Sequence, residues 1–297
     1  MMRVSYVVLT YNRKEELKTC LDSIVKQTYP EIEIIVVDNN SQDGTEKIMQ
    51  HYPHVNYHRL KTNTGACQGR NICFGLAEGD VVVVLDDDSE LPSPDTTSDI
   101  VAGFKTRPEM GVMALKVVNP IQPLTRRTIP SRKKSIANRT TEVEVAYFLE
   151  GGVAFRNQVL QEVGHYPPEY FYAMEALDFS YRLAKTSWKI YYYPQIHVLH
   201  HESVAQRPGW RRFYYDIRNR IWLTTTFLPI GYQVINLCFW GVKMGLQSLL
   251  HGHFKSFARG VRDGFRGRAP FRDRRQKMLL TSVEIRRIRK LGGRVCY

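Results

Sequence analysis

Residues 81 to 88 read Val-Val-Val-Val-Leu-Asp-Asp-Asp, an apolar run that stops on three consecutive carboxylates. Hard oxygen donors with room for water beside them suit Mg²⁺ or Mn²⁺ carrying a phosphorylated ligand. Four β-branched residues in a row fit a strand buried on both faces, and open α/β sheets bind ligands beyond the C-terminal ends of such strands. Asp86 and Asp88 are therefore expected at the mouth of a site, with Asp87 between them. A solvated acidic turn is the plain structural alternative.

The preceding residues supply the elements that would position this group. Arg3 to Leu9 is a second apolar run that ends in Thr10-Tyr11-Asn12-Arg13, ahead of a helix with Leu17, Leu21 and Ile24 at helical spacing. Glu33 to Val37 is a third, ending in Asp38-Asn39-Asn40-Ser41 and Asp43-Gly44-Thr45, turn formers that lead into another helix. Asn63-Thr64-Gly65 and Arg70-Asn71 follow in a glycine-bearing loop and helix start. Strand and helix alternate, which predicts a doubly wound nucleotide-type domain over the first hundred residues. Taken singly, Thr10 and Asn12 read equally well as helix caps, Asp38 as an Asx turn and Arg70 as a surface charge.

The ordered motifs continue with Glu78-Gly79-Asp80, Asp86-Asp87-Asp88, Glu150-Gly151-Gly152-Val153-Ala154-Phe155-Arg156, Glu175-Ala176-Leu177-Asp178 and His200. Together they make residues 3 to 220 resemble the inverting family 2 glycosyltransferases, with a rhamnosyltransferase-like subgroup in range. The resemblance implies the GT-A fold, with a mixed, mainly parallel sheet, and a nucleotide-diphosphate sugar as co-substrate. It places the donor against Thr10, Tyr11, Asn12, Arg13, Asp38, Asn63, Gly65, Arg70, Asp86 and Asp87. Thr10 and Asp38 would hold base and ribose, Arg70 would reach base or phosphate, and Asp86 would touch the ribose. It makes Asp88 and His200 ligands of a Mg²⁺ or Mn²⁺ ion that bridges the diphosphate. Gly151 and Gly152 would permit close backbone approach to a ligand, or a bulge.

An inverting transfer also needs a carboxylate to take the proton of the attacking hydroxyl. Many relatives carry two adjacent acids where this chain has Glu175 and then Ala176. Glu175 is the favoured base and Asp178 stays open as the second candidate. Glu175 also reads as a first-turn acid favoured by the helix dipole, and Asp178 as a partner for Arg182 at i+4. The missing acid keeps a catalytically impaired relative in view. Gln206 to Arg212 is a basic loop expected to close over the diphosphate, with Gly209 where processive synthases carry an arginine, which points to single additions.

Length and charge bound the rest. The 297 residues divide into a catalytic part, 1–220, with a donor half to 118 and an acceptor half after it, and an appendage, 221–297. A basic, Pro-bearing stretch over 119–141, including Arg126 and Arg127, reads as a long loop. Five cysteines without a C-x-x-C pair read as reduced and cytosolic. The net charge of +13 is concentrated at the end, where residues 252–297 hold 14 Lys and Arg against 3 Asp and Glu. Just before them, Ile230 to Leu250 is apolar except for a narrow stripe of Gln233, Asn236, Lys243 and Gln247. A single span would put the basic tail across the bilayer from a domain that needs cytosolic donor, against the positive-inside tendency. The expectation is a peripheral or monotopic enzyme at the cytoplasmic face of an anionic membrane, acting on a lipid-linked or glycan acceptor. A helix packed on the catalytic domain is the structural alternative. Nucleic acid is not expected as a partner, because the basic residues form no reading motif.

Overall fold

The computed structural model describes residues 1–120, 129–201, 209–267 and 269–295. Arg126, Arg127, Gln206 and Cys296 lie outside the described residues. The chain begins with β1 (Val4–Thr10), α1 (Lys14–Val25), β2 (Ile32–Asp38), the short α2 (Thr45–Ile48), β3 (Val55–Arg59), α3 (Gly65–Leu76) and β4 (Val81–Asp86). After these come β5 (Ser89–Glu90), α4 (Thr96–Thr106), β6 (Met110–Val118), β7 (Val143–Val145), β8 (Val153–Arg156), α5 (Asn157–Val163), α6 (Glu175–Leu183) and β9 (Lys189–His200). Helices α7 (Gly209–Phe227), α8 (Ile230–Leu250), α9 (Phe254–Arg266), α10 (Arg275–Met278) and α11 (Ser282–Lys290) complete it.

The described strands form one sheet in the order β3-β2-β1-β4-β8-β6-β9-β5, with β7 on the flank of β9. β3, β2, β1 and β4 run parallel, β8 is antiparallel to both neighbours, and β6 pairs parallel with β9. The β-branched run of β4 alternates as a doubly covered strand must. Val82 and Val84 join the core on one face with Phe74 and Phe155, while Val81, Val83 and Leu85 join the other with Leu17 and Phe104. Chain order reverses between β1 and β4, whose register sets Leu9 beside Asp86. That switch point is where a doubly wound sheet opens a crevice at its strand ends. Glu78-Gly79-Asp80 lies at the opposite end, where Asp80 and Glu78 pair with Arg3 and the Gly79 N–H donates to Ser5 Oγ.

β9 runs unbroken through Pro194, because a register irregularity against β6 between Leu115 and Lys116 absorbs Pro194 to Ile196. The strand therefore carries the chain without a turn as far as His200. α7 continues through position 220, and the segment after it packs back on the sheet domain. Leu223, Phe227, Leu280, Ile285, Ile288 and Val295 share one buried cluster with Tyr147 and Tyr181. The basic C-terminal region is folded in part: Arg287 pairs with Glu144, and the Tyr181 hydroxyl donates to the Arg294 carbonyl. Gly260 and Gly264 let α9 lie directly on α7, since a Cβ at Gly260 would stand 2.5 Å from the Tyr214 carbonyl oxygen.

Candidate active site

A cleft of about 310 Å³ opens at the switch point, walled by Thr10, Tyr11, Arg13, Asn63, Gly65, Arg70, Asp86, Asp87 and Glu175. Those nine sequence candidates therefore meet in one place. Asn12 and Asp38 stand behind the wall. The Ser41 N–H and the Tyr57 hydroxyl each donate to Asp38, whose side chain thereby fixes the loop that presents Asn39 to the cleft. Asn12, at φ +54°, accepts from the Gln42 N–H and its own N–H donates to Ser41 Oγ, tying the two loops together. The turn reading of Asp38 describes its contacts, whereas Asn12, read as a helix cap, bridges two loops and does not cap α1.

The three aspartates divide their work. Asp87 accepts from Thr10 Oγ1 at 2.9 Å and pairs with Arg13 at 3.0 Å. Burial pushes its carboxyl up to about 6 although Arg13 opposes that rise. Asp88 is buried and pairs with the same guanidinium at 3.1 Å. Its other oxygen lies 2.9 Å from His200 Nε2, which is 3.5 Å from Asp86 Oδ2. Burial alone would lower the His200 pKa, but the two carboxylates outweigh it and lift it to about 10.

One ligand atom from each of Asp86, Asp88 and His200 lies within 4.8 Å of the other two. An octahedral ion with bonds of about 2.1 Å sets neighbouring ligand atoms about 3 Å apart and opposite ones about 4.2 Å apart. Two carboxylates and an imidazole at this spacing fit one divalent ion. The remaining histidines of the segment diverge: His197 is exposed and His201 pairs with Glu90 at 3.1 Å. Gly151, at φ +90°, accompanies the cluster, and a Cβ there would crowd Asp86 Oδ2 at 3.1 Å. Gly152 fits between Val117 and Val198 instead.

Arg70 is a hub rather than an exposed cation. Its guanidinium reaches Asp86 at 2.6 Å, Glu175 at 3.1 Å and Glu150 at 3.4 Å, all from within the protein. Three carboxylates share one positive charge, so the group carries excess negative charge in a buried setting. Burial raises the Glu175 carboxyl above its usual range, with Arg70 acting against it, and lifts Glu150 to about 7 in the same way. Glu150 accepts from Tyr166 and lines the cleft, a role the sequence reading missed; its only signal was the acid heading the Gly151-Gly152 motif. Glu175 Oε2 is buried without a hydrogen-bond partner among the described residues. Asp178 lies outside the cleft lining, with one oxygen accepting from Arg182 Nε at 2.7 Å and the other from Tyr170 at 2.9 Å.

The loop before Glu175 is held against its conformational preference. Phe171, Ala173 and Met174 have φ of +60°, +70° and +74°, each costing about 1–3 kcal/mol in a non-glycine residue. Buried Asn219 on α7 offsets this by donating to the Tyr170, Tyr172 and Ala173 carbonyls, and Phe171 stacks on Tyr215. The Phe171 carbonyl in turn accepts from the Ala66 N–H at the start of α3, and a Cβ at Gly65 would collide with it at 2.5 Å. Gly65 thus serves this close approach.

The family model described as Glycosyl transferase family 2 matches residues 5–164, more than half of the chain. The chain belongs to glycosyl transferase family 2. It is 29% identical over 221 residues to the poly(ribitol-phosphate) beta-N-acetylglucosaminyltransferase TarS of Staphylococcus aureus strain Mu50, covering 69% of this chain and 38% of TarS. It is 36% identical over 93 residues to the putative teichuronic acid biosynthesis glycosyltransferase TuaG of Bacillus subtilis strain 168, covering 29% of this chain and 36% of TuaG. The chain thus spans about two fifths of the length of these relatives. Among solved structures, residues 1–349 of S. aureus TarS superpose with a TM-score of 0.61 at 19% identity, covering 98% of this chain and 88% of that one. GalNAc-T7 with UDP, GalNAc and Mn²⁺ gives 0.65 at 17% identity, covering 91% and 58%. The fold is GT-A, with additional helices at its C-terminal side.

Proposed function

We propose that this chain is an inverting, metal-dependent glycosyltransferase that moves a hexosyl or deoxyhexosyl unit from a nucleoside diphosphate donor to a cell-envelope glycan or lipid-linked acceptor. The observation that carries the reading is Glu175, whose Oε2 is buried, without a partner among the described residues, on the wall of the cleft that Asp86 and Asp87 also line. In the transfer, the acceptor oxygen bonds to the anomeric carbon as the bond from that carbon to the diphosphate oxygen breaks. The hydroxyl proton passes to Glu175. A divalent ion held by Asp86, Asp88 and His200 would neutralise charge on the departing diphosphate. Arg13 and Arg70 keep the carboxylates in place, and Thr10 orients Asp87. The names of TarS and TuaG support a polysaccharide-type acceptor.

The test uses the purified full chain, Mn²⁺ and a panel of nucleotide sugars, and follows release of nucleoside diphosphate with and without bacterial membranes as acceptor source. Release from one donor, stimulated by acceptor, is the expected result. Binding of a nucleotide sugar with no release under any condition would leave the second reading, an impaired relative, which Ala176 favours.

We also place the enzyme on the cytoplasmic face of an anionic membrane, and α8 supports this. Among the described residues no helix is long and apolar enough to cross a membrane. The stripe noted in the sequence turns inward in part: Asn236 is buried against Thr224 and the Val295 carbonyl, and half-buried Gln233 donates to the Leu228 carbonyl, while Lys243 is exposed. The opposite face exposes Val234, Ile235, Val242, Leu246, Leu249 and Leu250. A helix packed on water-soluble protein normally has the reverse arrangement. Arg259 and Arg262, exposed on the adjoining α9, supply the charge that an anionic surface attracts. The protein is expected to sediment with phosphatidylglycerol vesicles, to be released only partly by 1 M salt, and to lose at least about tenfold in affinity in V242E/L246E. Full-length protein that stays in the supernatant at low salt would rule this placement out.

A further inference from the structure

Beside the donor cleft lies a second, larger cavity of about 780 Å³, separated from it by Tyr172, which lines both. α7 and α8 build its walls together with the segments at 131–132, 147–149 and 172–174 and with Arg294. Arg132, Arg212, Arg220, Lys243 and Arg294 line it, and among the described residues Asp216 is the only carboxylate that does. Burial lowers the Arg220 pKa to about 10, which still leaves it charged at neutral pH, and its guanidinium lies 4.0 Å over the Trp240 ring.

Two buried donors in this wall, Arg220 Nε and Trp240 Nε1, have no hydrogen-bond partner among the described residues. An unsatisfied buried donor is costly, more so in a charged group, so this wall carries positive polarity that no internal acceptor offsets. Lys243 stands 4.7 Å over the same Trp240 ring, and Arg294 lies 4.9 Å over Tyr147, so flat aromatic faces hold the cations at the cavity wall. Planar guanidinium groups and an ammonium around one hollow match the charge and the many acceptor oxygens of a phosphoryl group. One carboxylate, Asp216, stands against the five cations, so a neutral sugar would leave net positive charge in the hollow.

We propose that this cavity binds a phosphoryl group of the acceptor, so that the sugar is delivered to a phosphate-bearing glycan or glycolipid whose hydroxyl reaches past Tyr172 to Glu175. The inference rests on the glycosyltransferase reading and deepens it by naming the acceptor's chemistry. Burial is the main cause that lifts the Asp216 carboxyl to about 6, and the Glu175 charge adds a smaller rise, so this wall of the cavity stands within electrostatic reach of the proposed base. Two sources share this chemistry: the diphosphate of a polyprenyl-linked sugar and the phosphodiester of a polymer. The cavity shares Phe239 and Lys243 with α8, and the apolar face of α8 is exposed around the helix from them.

The experiment uses the full chain and the K243Q/R294Q variant. Inorganic pyrophosphate is titrated by calorimetry with the donor cleft saturated by the nucleoside diphosphate of its donor. Affinity for that nucleotide, expected to be the same in both proteins, serves as the folding control, since neither residue lines the donor cleft. A second pyrophosphate site that weakens at least about tenfold in the variant is expected, because charge-assisted contacts are worth about 1.5 kcal/mol or more each. Absence of the second site, or equal affinity in both proteins, would overturn the proposal whatever the enzyme's activity.

Transfer assays then separate the sources. A detergent-dispersed polyprenyl diphosphate sugar and a soluble phosphodiester-linked glycan oligomer are compared with a neutral oligomer of equal length. Use of either phosphorylated acceptor, with KM raised about tenfold and kcat nearly unchanged in the variant, supports the proposal and identifies its source. Preference for the neutral oligomer, with KM equal in both proteins, overturns it. Failure of all transfer and of donor hydrolysis would remove the glycosyltransferase reading itself, while the pyrophosphate titration would still decide the cavity.

Discussion

D88A is expected to lower sugar transfer by about a thousandfold or more while leaving the protein folded. Lewis-acid neutralisation of a leaving diphosphate contributes several kcal/mol at the transition state, and each 1.4 kcal/mol is tenfold in rate. Folding should survive because Arg13, which pairs with Asp88, keeps Asp87 at 3.0 Å. Direct Mn²⁺ titration by electron paramagnetic resonance gives a readout independent of turnover. D88N and H200Q should each weaken Mn²⁺, since every one of the three ligand atoms counts in so small a donor set. Mn²⁺ should bind more tightly than Mg²⁺, because an imidazole among the donors favours the metal later in the affinity order. Unchanged Mn²⁺ affinity in D88N, or full turnover in excess chelator, would return the three aspartates to the plain reading of an acidic turn.

The sequence could reveal the donor half of this site because its signals are local. Apolar runs stop at Thr10, Asp38 and Asp86, the structure ends β1, β2 and β4 at those residues, and the alternation of Val81 to Leu85 onto two cores follows from a strand covered on both faces. Tertiary pairing was out of reach. Arg70 meets Asp86, Glu150 and Glu175, partners up to 105 residues away, and nothing in its own neighbourhood distinguishes a hub from a surface charge. The same limit hid the sense of α8. Helical spacing put Gln233, Asn236, Lys243 and Gln247 on one stripe but could not say that Asn236 turns into the protein while Lys243 stays exposed. The second cavity was invisible for a further reason: its cations come from positions 132, 212, 220, 243 and 294, which no motif links.

E175Q is expected to lower turnover by roughly 10² to 10⁴, the range attributed to general-base catalysis, with donor affinity little changed. A base must be ionised to accept a proton, and burial has raised the Glu175 pKa. Turnover in the native enzyme should therefore fall as pH drops below that raised value, and E175Q should flatten this acidic limb. Glu150 is the competing base, because it lines the same cleft and titrates at about 7. If E150Q flattens the limb and E175Q leaves it, the role passes to Glu150. Asp178 separates structure from chemistry. D178N should leave much of the turnover, but it breaks a buried pair with Arg182 and so should cost on the order of 3–5 kcal/mol in denaturant stability, tempered by the three carbonyls that Arg182 also engages. Ala176, where the family resemblance implies an acid, packs against the core cluster around Phe155 and Phe179. A carboxylate at that position would meet apolar side chains, so A176D should destabilise the protein and not restore a missing base. Higher turnover in A176D would show instead that position 176 reaches the cleft and that Glu175 serves as a substitute.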